Sequence, residues 1–438
     1  MHEIECSLLR PPKITATRAV DMGARYRAHH YGLGMTQRPE HSALDLSTLA
    51  VTKGRPPREP DAPLNTPIVP ASSFIAGGPT EYAREGGPTV FAFEEVIAAL
   101  ECAERTRPAQ AVAFSSGMAA ADAVLDLIPV GGWVVAPTTT YTGVAVRLRE
   151  LAERGRIDLT LIDVTDTDAI LDSLTTGVHT LWMESPTNPL LEEADLAICL
   201  PAARSAGVRT VVDNTFATPI LQRPLELGAH VVMHSATKSL SGHSDLLLGA
   251  LVTEDPELAE ELRTRRILLG AAPSAFDAYL ALRGIRTLAL RIQRAESSAQ
   301  FLADKLRSEP AISRVRQAGT MVSIEFGGDV ARADRVCHGT RLWAHATSLG
   351  GVESLLERRR RWPLEAEHVP DLVTWLCQLA EVLAPGGVLR LVVPDKRYCF
   401  DCRRRLSSFA DVIEAFLEKR VRPSIAATYD NYARIPPK

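Results

Sequence analysis

The stretch VVMHSATKSLSGHSD (residues 231–245) runs from an apolar segment into a turn of small, hydroxyl-bearing residues, with Lys238 where the two meet. Burying an ammonium group is costly unless the group is neutralised or bonded, so a lysine at the end of a buried strand needs a chemical reason. One interpretation is a polar surface loop. The other is a lysine held in a pocket, where loss of solvent lowers the pKa of the amine and frees it to attack a carbonyl group.

Similar apolar runs that end in polar residues precede this stretch. Three of them are GWVVAP (132–137), HTLWMESPTNP (179–189) and VRTVVDNTFATP (208–219). A segment with the pattern of a helix, residues 193–207, lies between the last two. Strands that alternate with helices predict crossover connections and a mostly parallel sheet flanked by helices. Ligands of such sheets bind beyond the carboxyl ends of the strands. The sequence therefore predicts an α/β fold with its polar site at that edge.

Length and composition exclude several classes of protein. The 438 residues are 46% hydrophobic, enough for two or three domains, and a net charge of -4 argues against an electrostatic nucleic-acid binder. No apolar run has the length of a membrane span, and the N-terminal residues lack the apolar core of a secretory signal. Scattered cysteines favour a reducing, cytoplasmic compartment. The lone CxxC pair, Cys399 and Cys402, lacks the other two ligands of a structural zinc site, so we expect no metal.

Three features that follow predicted strands each have an ordinary and a functional interpretation. The Ser-Ser-Gly turn that ends in Gly117 precedes an Ala-rich helix, whose unpaired backbone amides could bind an anion. Tyr141 could stack on a flat heterocycle, and Asp213 at a buried strand end could pair with a protonated ring nitrogen. Singly, the same residues are also typical of a helix start, of core packing and of a turn.

Lys238 and its neighbours favour the functional interpretation of these features. Ser235 and Thr237 offer hydroxyl groups to a phosphate next to the lysine amine. Pyridoxal 5'-phosphate requires four features of a protein: a phosphate-binding turn, an aromatic side chain that stacks on its ring, a carboxylate for its ring nitrogen and a nucleophilic lysine. We therefore expect pyridoxal 5'-phosphate as the cofactor.

A series of motifs in the same order makes the chain similar to the cystathionine γ-synthase/γ-lyase family of cysteine and methionine metabolism, from about residue 43 to residue 370. The motifs are SSGMAA (115–120), ESPTNP (184–189), VDNTFATP (212–219), SATKSLSGHSD (235–245), LRGIRTL (282–288) and SLGGVESL (348–355). The resemblance implies the type I fold of pyridoxal 5'-phosphate-dependent transferases, with a smaller, truncated α+β C-terminal domain.

The resemblance also implies catalytic roles for four residues. Lys238 would bind the cofactor covalently and then carry protons between the α, β and γ carbons of the substrate, with Ser348 helping to position it. Asp213 would keep the ring nitrogen of the cofactor protonated. Tyr141 would stack on the ring and assist proton transfer.

Further matched residues would hold the cofactor in place. The resemblance implies that the backbone amides of Gly117 and Met118 and the hydroxyls of Ser235 and Thr237 bind the phosphate. Asn188 would bind the phenolic oxygen of the cofactor, on the side where the substrate binds.

The segment YAREGGPT (82–89) resembles the part of the family that reaches the phosphate of a neighbouring subunit. Tyr82 and Arg84 would then act across a dimer interface, and the usual assembly of the family is a tetramer of two such dimers. Gly87 stands where the family has asparagine, so this loop departs from the family pattern.

The activity that the resemblance implies is γ-elimination or γ-replacement on amino-acid substrates such as cystathionine, an O-acylhomoserine and cysteine. Elimination would make the protein a cystathionine γ-lyase, and replacement by cysteine a cystathionine γ-synthase; the sequence does not separate the two. A methionine γ-lyase is disfavoured, because those enzymes resemble this stretch with a cysteine two residues after the stacking tyrosine, where Gly143 stands.

The similarity ends after Pro370. Residues 358–370 form a basic and then acidic run that is typical of a solvated loop. The stretch LAPGGVLRLVVPDKRYCFD (383–401) resembles part of a class I S-adenosylmethionine-dependent methyltransferase, without the glycine-rich loop of that family upstream. The arginine that binds the substrate α-carboxylate in the cystathionine family is missing from the sequence pattern, and Arg390 could replace it.

Two alternative functions follow from this departure. The chain could bind the cofactor without turnover because its smaller domain is disrupted, or it could be a methyltransferase-related fusion. The expected organisation is an N-terminal extension (1–42), an arm reaching a neighbouring subunit (43–90), a large cofactor-binding domain (91–285), a partial small domain (286–370) and the methyltransferase-like fragment (371–438).

Overall fold

The computed structural model describes residues 44–359, except 79, 104–107 and 327–329. The predicted extension at 1–42 and the methyltransferase-like fragment at 371–438 lie outside the described residues, and so do Arg390, Cys399 and Cys402.

A seven-stranded sheet lies at the centre of the described part of the chain. In chain order its strands are β1 (Gln110–Phe114), β2 (Gly132–Pro137), β3 (Ile157–Ile162), β4 (Val178–Glu184), β5 (Arg209–Asp213), β6 (Val231–Ser235) and β7 (Gly249–Thr253). Their order across the sheet is β1-β7-β6-β5-β4-β2-β3. Strand β7 runs antiparallel to β1 and β6, and the other neighbouring pairs are parallel, which confirms the predicted α/β fold.

Helices precede, connect and follow these strands. They are α1 (Leu46–Thr52), α2 (Pro88–Glu101), α3 (Gly117–Asp126), α4 (Thr142–Glu153), α5 (Thr167–Ser173), α6 (Leu196–Ser205), α7 (Thr218–Leu221), α8 (Pro256–Leu269) and α9 (Ala275–Ile285). Polar side chains fix several starts: Ser116, Asp195 and Asp255 cap α3, α6 and α8 by accepting bonds from backbone N–H groups. Within the described ranges, no helix has both the length and the apolar character to cross a membrane.

Alternate residues of the central strands enter two hydrophobic clusters. Val212 and Val232 belong to one cluster, whereas Val211 and Val231 belong to the other. Successive side chains of a strand point to opposite faces, so both faces of the sheet are covered. This burial explains the continuous apolar runs in the sequence, and it leaves the strand ends as the place where polar groups gather.

Smaller elements follow α9. They are the helix α10 (Leu288–Arg307), the antiparallel hairpin of β8 (Ile312–Ala318) and β9 (Met321–Phe326), the helix α11 (Val330–Gly339) and the short parallel pair β10 (Ala344–His345) and β11 (Leu355–Leu356). The loop between β10 and β11 contains the SLGGVESL motif up to Ser354, and it returns the chain to Lys238.

Candidate active site

Lys238 lies just beyond the end of β6, and its amine contacts the loop between β10 and β11. Its Nζ donates a hydrogen bond to Ser348 Oγ over 2.6 Å. Ser348 has a φ of 95°, an uncommon value for a residue with a side chain. Burial lowers the pKa of Lys238, the charge of Arg359 lowers it further, and Glu357 opposes the shift. The structure thus brings two of the matched motifs together around one amine.

Gly350 shows how closely this loop packs on the lysine. A Cβ atom at Gly350 would lie 2.3 Å from the backbone nitrogen of Ser239 and 2.7 Å from the carbonyl carbon of Lys238. With a φ of 83°, the position also favours glycine on backbone grounds. Glycine at position 350 is therefore needed for the loop to pack this closely on the lysine.

Asp213 lies at the carboxyl end of β5, buried beside the lysine strand. Its Oδ1 accepts a hydrogen bond from Thr215 N over 3.0 Å, and the hydroxyl oxygen of Thr215 accepts one from Ser235 N over 2.8 Å. Burial raises the pKa of Asp213, and its hydrogen bonds with Thr215 and the charge of His234 oppose that rise. A buried carboxyl group at this edge is able to pair with a protonated ring nitrogen.

Ser235 and Gly117 lie side by side at the start of α3. A Cβ at Gly117 would lie 2.8 Å from Ser235 Cβ and 2.9 Å from Ser235 Oγ, so only glycine fits here. The cap residue Ser116 accepts the N–H of Ala119 over 3.1 Å. The amides of Gly117 and Met118 belong to the first turn and have no partner within the helix, so they are available to an anion.

Thr237 differs from its neighbour Ser235 in what its hydroxyl contacts. Its Oγ1 accepts a hydrogen bond from Leu248 N over 3.0 Å and donates one to Leu248 O over 3.3 Å. In this structure the hydroxyl joins the segment after β6 to the one before β7. Its predicted contact with a phosphate stays a prediction.

Tyr141 lies at the start of α4 with 40% of its surface exposed, so its ring is accessible to a ligand. Met118 and Gly143 are next to it: a Cβ at Gly143 would lie 2.8 Å from Tyr141 Cε1 and 2.8 Å from Met118 Sδ. A side chain at position 143 would displace one of these neighbours. The lack of a side chain at Gly143 therefore leaves room for the Tyr141 ring and for Met118.

Glu184 is a buried residue that the sequence did not single out. Its Oε2 accepts hydrogen bonds from Thr140 Oγ1 and, over 2.7 Å, from Tyr141 N, and its Oε1 accepts one from Asn188 N over 2.7 Å. Burial and the charge of Asp213 raise its pKa to about 8. One carboxyl group thereby fixes the backbone at both Tyr141 and Asn188. Its place directly before SPTNP, at the end of an apolar run, was the signal that could have found it.

Arg359 is the second residue that sequence reasoning missed. Its Nη2 donates a hydrogen bond to Asn188 Oδ1 over 3.1 Å, and its Nη1 pairs with Glu357 Oε2 over 3.1 Å. The charge run that begins at residue 358 was expected to be a solvated loop. Arg359 lies exposed in a loop, and it also contacts a residue of the candidate site, while its charge acts on Lys238. Residues 360–370 of the run lie outside the described residues.

Tyr82 and Arg84 contact each other. The guanidinium carbon of Arg84 lies 4.4 Å from the centre of the Tyr82 ring. Buried Arg266 donates to Glu85 O over 2.5 Å and pairs with Glu94 over 2.7 Å, which holds this segment against α8 and α2. The contacts given by the described residues do not connect Tyr82 or Arg84 with Lys238, and their action on a neighbouring subunit stays a prediction.

These residues fit a flat ring that carries a phosphate. Lys238 follows β6, and the buried carboxyl group of Asp213 ends the neighbouring parallel strand β5. Gly117 leaves space that a Cβ would fill, beside the hydroxyl of Ser235. Lys238, Asp213, Tyr141 and the first turn of α3 are the groups that would hold pyridoxal 5'-phosphate.

A family model described as "Cys/Met metabolism PLP-dependent enzyme" matches residues 47–364. The chain belongs to this family of pyridoxal 5'-phosphate-dependent enzymes. Its cofactor is therefore pyridoxal 5'-phosphate, and its fold is the type I fold of these proteins.

Three similar proteins illustrate the range of activities within that family. The cystathionine gamma-synthase of Mycobacterium leprae is 37% identical over 362 residues, which cover 77% of this chain and 89% of the relative. The cystathionine beta-lyase of Coxiella burnetii is 36% identical and covers 71% of this chain and 86% of the relative. The solved structure of apo CalE6, described as a methionine gamma lyase from Micromonospora echinospora, is 36% identical with a TM-score of 0.67, and covers 72% of this chain and 90% of that one. This protein is accordingly an enzyme of the cystathionine synthase and lyase kind.

Proposed function

We propose that the protein catalyses γ-elimination or γ-replacement on a γ-substituted amino acid, as a cystathionine γ-lyase or a cystathionine γ-synthase. The observation that most supports this is the hydrogen bond of 2.6 Å between Lys238 Nζ and Ser348 Oγ. It holds a lysine of lowered pKa at the edge of the sheet where Asp213 also lies. The likeness to the cystathionine gamma-synthase of Mycobacterium leprae supports the same class of substrate.

The cofactor, when bound, supplies an electron sink for the carbanions formed next to the amino group. Lys238 is the proposed proton carrier: its lowered pKa makes the neutral amine accessible, so it can take a proton from the α carbon and return one at the γ carbon. Ser348 accepts an N–H of this amine and fixes the direction of its lone pair. Asp213 would pair with the ring nitrogen, and Tyr141 would cover the ring and assist proton transfer.

The remaining contacts to the cofactor belong to the same proposal. The amides of Gly117 and Met118, with Ser235 and Thr237, would bind the phosphate. Asn188 would bind the phenolic oxygen of the cofactor.

The assembly proposed for the protein is a dimer or a tetramer of two dimers. In it, Tyr82 and Arg84 of one subunit would reach the phosphate of the next.

Purified protein tests the proposal directly. We expect visible absorbance from the bound cofactor, and borohydride reduction followed by peptide mapping should place the label on Lys238. Addition of cystathionine should release cysteine and 2-oxobutanoate if the enzyme is a γ-lyase. Incubation of an O-acylhomoserine with cysteine should yield cystathionine if it is a γ-synthase.

Two results would contradict the proposal. Pyruvate and homocysteine from cystathionine would instead indicate β-elimination, the activity named for the Coxiella burnetii relative. Bound cofactor without any product would favour the alternative, a cofactor-binding protein without turnover. Lys238→Ala, which removes the amine, is the control for both assays.

A further inference from the structure

Arg359 places a guanidinium group against Asn188, and its charge acts on the Lys238 amine. Its Nη2 donates to Asn188 Oδ1 over 3.1 Å, and its Nη1 pairs with Glu357 over 3.1 Å. Its side chain is still 37% exposed. The group is therefore anchored at two points and keeps further N–H donors for a ligand, because a guanidinium carries five.

We propose that Arg359 binds the α-carboxylate of the amino-acid substrate, an inference that rests on the proposed function. Lys238 and the substrate amine would bind the cofactor through the same atom, and the α-carboxylate is attached to the carbon that bears this amine. A cation that is held on Asn188 and whose charge acts on the Lys238 amine would consequently meet the α-carboxylate rather than the distal γ substituent. The planar fork of an arginine matches a carboxylate with two parallel hydrogen bonds.

Glu357 and Asn188 hold the guanidinium group of Arg359 in position before a substrate binds. Glu357 neutralises part of the charge of Arg359 before a substrate enters, and it lies 31% exposed at the site edge. An incoming carboxylate can replace this partner without leaving a buried charge unpaired. Asn188 holds the other end of the fork in place, so little side-chain freedom is lost on binding.

Arg358 provides a matched comparison within the same segment. Its Nε pairs with Asp334 of α11, whereas Arg359 pairs with Asn188 and Glu357. Two adjacent arginines thus have the same chemistry and different surroundings. Arg390, which the sequence pattern offered for this role, lies outside the described residues.

A pair of ligands that differ only in the carboxylate tests the inference. L-norvaline and n-butylamine have the same carbon skeleton around the amine, and neither carries a leaving group. Titration of the cofactor-loaded enzyme with each, followed through the visible band of the cofactor, gives the two dissociation constants. We expect Arg359→Gln to weaken norvaline binding by roughly 10- to 100-fold, the loss typical of a charge-assisted hydrogen bond, and to leave butylamine binding unchanged.

Two further variants sharpen this result. Arg359→Lys keeps the charge without the fork, so its norvaline affinity should lie between wild type and Arg359→Gln. Arg358→Gln should change neither affinity. Equal losses for both ligands, or a specific loss in Arg390→Gln and none in Arg359→Gln, would overturn the inference.

The same titration separates the two proposals. If wild-type protein binds no cofactor at Lys238, the proposed function fails and this inference with it. If wild type binds cofactor and norvaline, and Arg359→Gln retains both the visible band and unchanged norvaline affinity, only the assignment of Arg359 is wrong.

Discussion

Glu184 and Asp213 are register partners across the parallel strands β4 and β5, so two buried carboxyl groups lie together at the edge of the sheet where the site residues gather. Burial raises the pKa of both, and the charge of Asp213 raises that of Glu184 further. Glu184 also accepts the N–H groups of Tyr141 and Asn188. The carboxyl group that would pair with the cofactor therefore adjoins the one that positions two other proposed contacts.

Replacement of Glu184 by glutamine should make the stability of the cofactor-free protein less dependent on pH. The pKa of Glu184 is about 8 in the folded chain against an ordinary 4.5, so between these values the folded state keeps a proton that the unfolded state releases. The stability due to this group is complete below the lower value and is lost as the pH rises through the higher one. Chemical unfolding at several pH values should give a shallower decline for Glu184→Gln. Equal declines in both proteins would contradict this account.

Replacement of Ser348 by alanine should reduce turnover more than cofactor binding. The lysine amine loses the oxygen that accepts its N–H at 2.6 Å, so proton transfer becomes less well directed. We expect kcat to fall by about 10- to 100-fold, within the range of acid–base contributions. Steady-state kinetics and the visible absorbance of the cofactor measure the two effects separately. Ser354→Ala, which removes an exposed hydroxyl from the same motif, is the control and should leave kcat unchanged.

Replacement of Gly117 by alanine should weaken cofactor binding. The new Cβ would lie 2.8 Å from Ser235 Cβ, so the start of α3 must move away from the strand end. An overpacked contact of this kind should raise the dissociation constant of the cofactor by about 10- to 100-fold. Equilibrium dialysis with pyridoxal 5'-phosphate measures it. Gly339→Ala, where a Cβ meets nothing within 4 Å, tests whether any added methyl group has this effect.

Replacement of Arg266 by methionine should destabilise the fold. Arg266 is fully buried and pairs with Glu94, which would be left as a buried, unpaired carboxylate. Removing one partner of such a pair costs about 3–5 kcal/mol of unfolding free energy, whereas loss of the exposed pair of Arg154 and Glu150 should change the unfolding free energy much less. Urea unfolding of Arg266→Met and Arg154→Gln compares them. The double variant Arg266→Met/Glu94→Gln should recover part of the loss, and no recovery would mean that the unpaired charge is not the cause.

The sheet was predictable because its strands are local apolar runs, and Lys238 and Asp213 because each follows such a run directly. Glu184 and Arg359 were not, since their importance depends on contacts with residues far away in the chain. The charge run at 358 gives no sign that one arginine faces Asn188 and its neighbour Asp334. The engagement of Thr237 with Leu248 depends in the same way on how β6 and β7 are placed.

Lys238 and Ser348 are 110 positions apart, and Gly350 packs on the backbone of the lysine. During synthesis, the ribosome releases the lysine and its sheet long before the segment that contacts the lysine. A nascent chain that ends before residue 348 would carry the Lys238 amine without its hydrogen-bond partner Ser348. The surroundings in which Lys238 binds its cofactor are therefore completed only late in the synthesis of each chain.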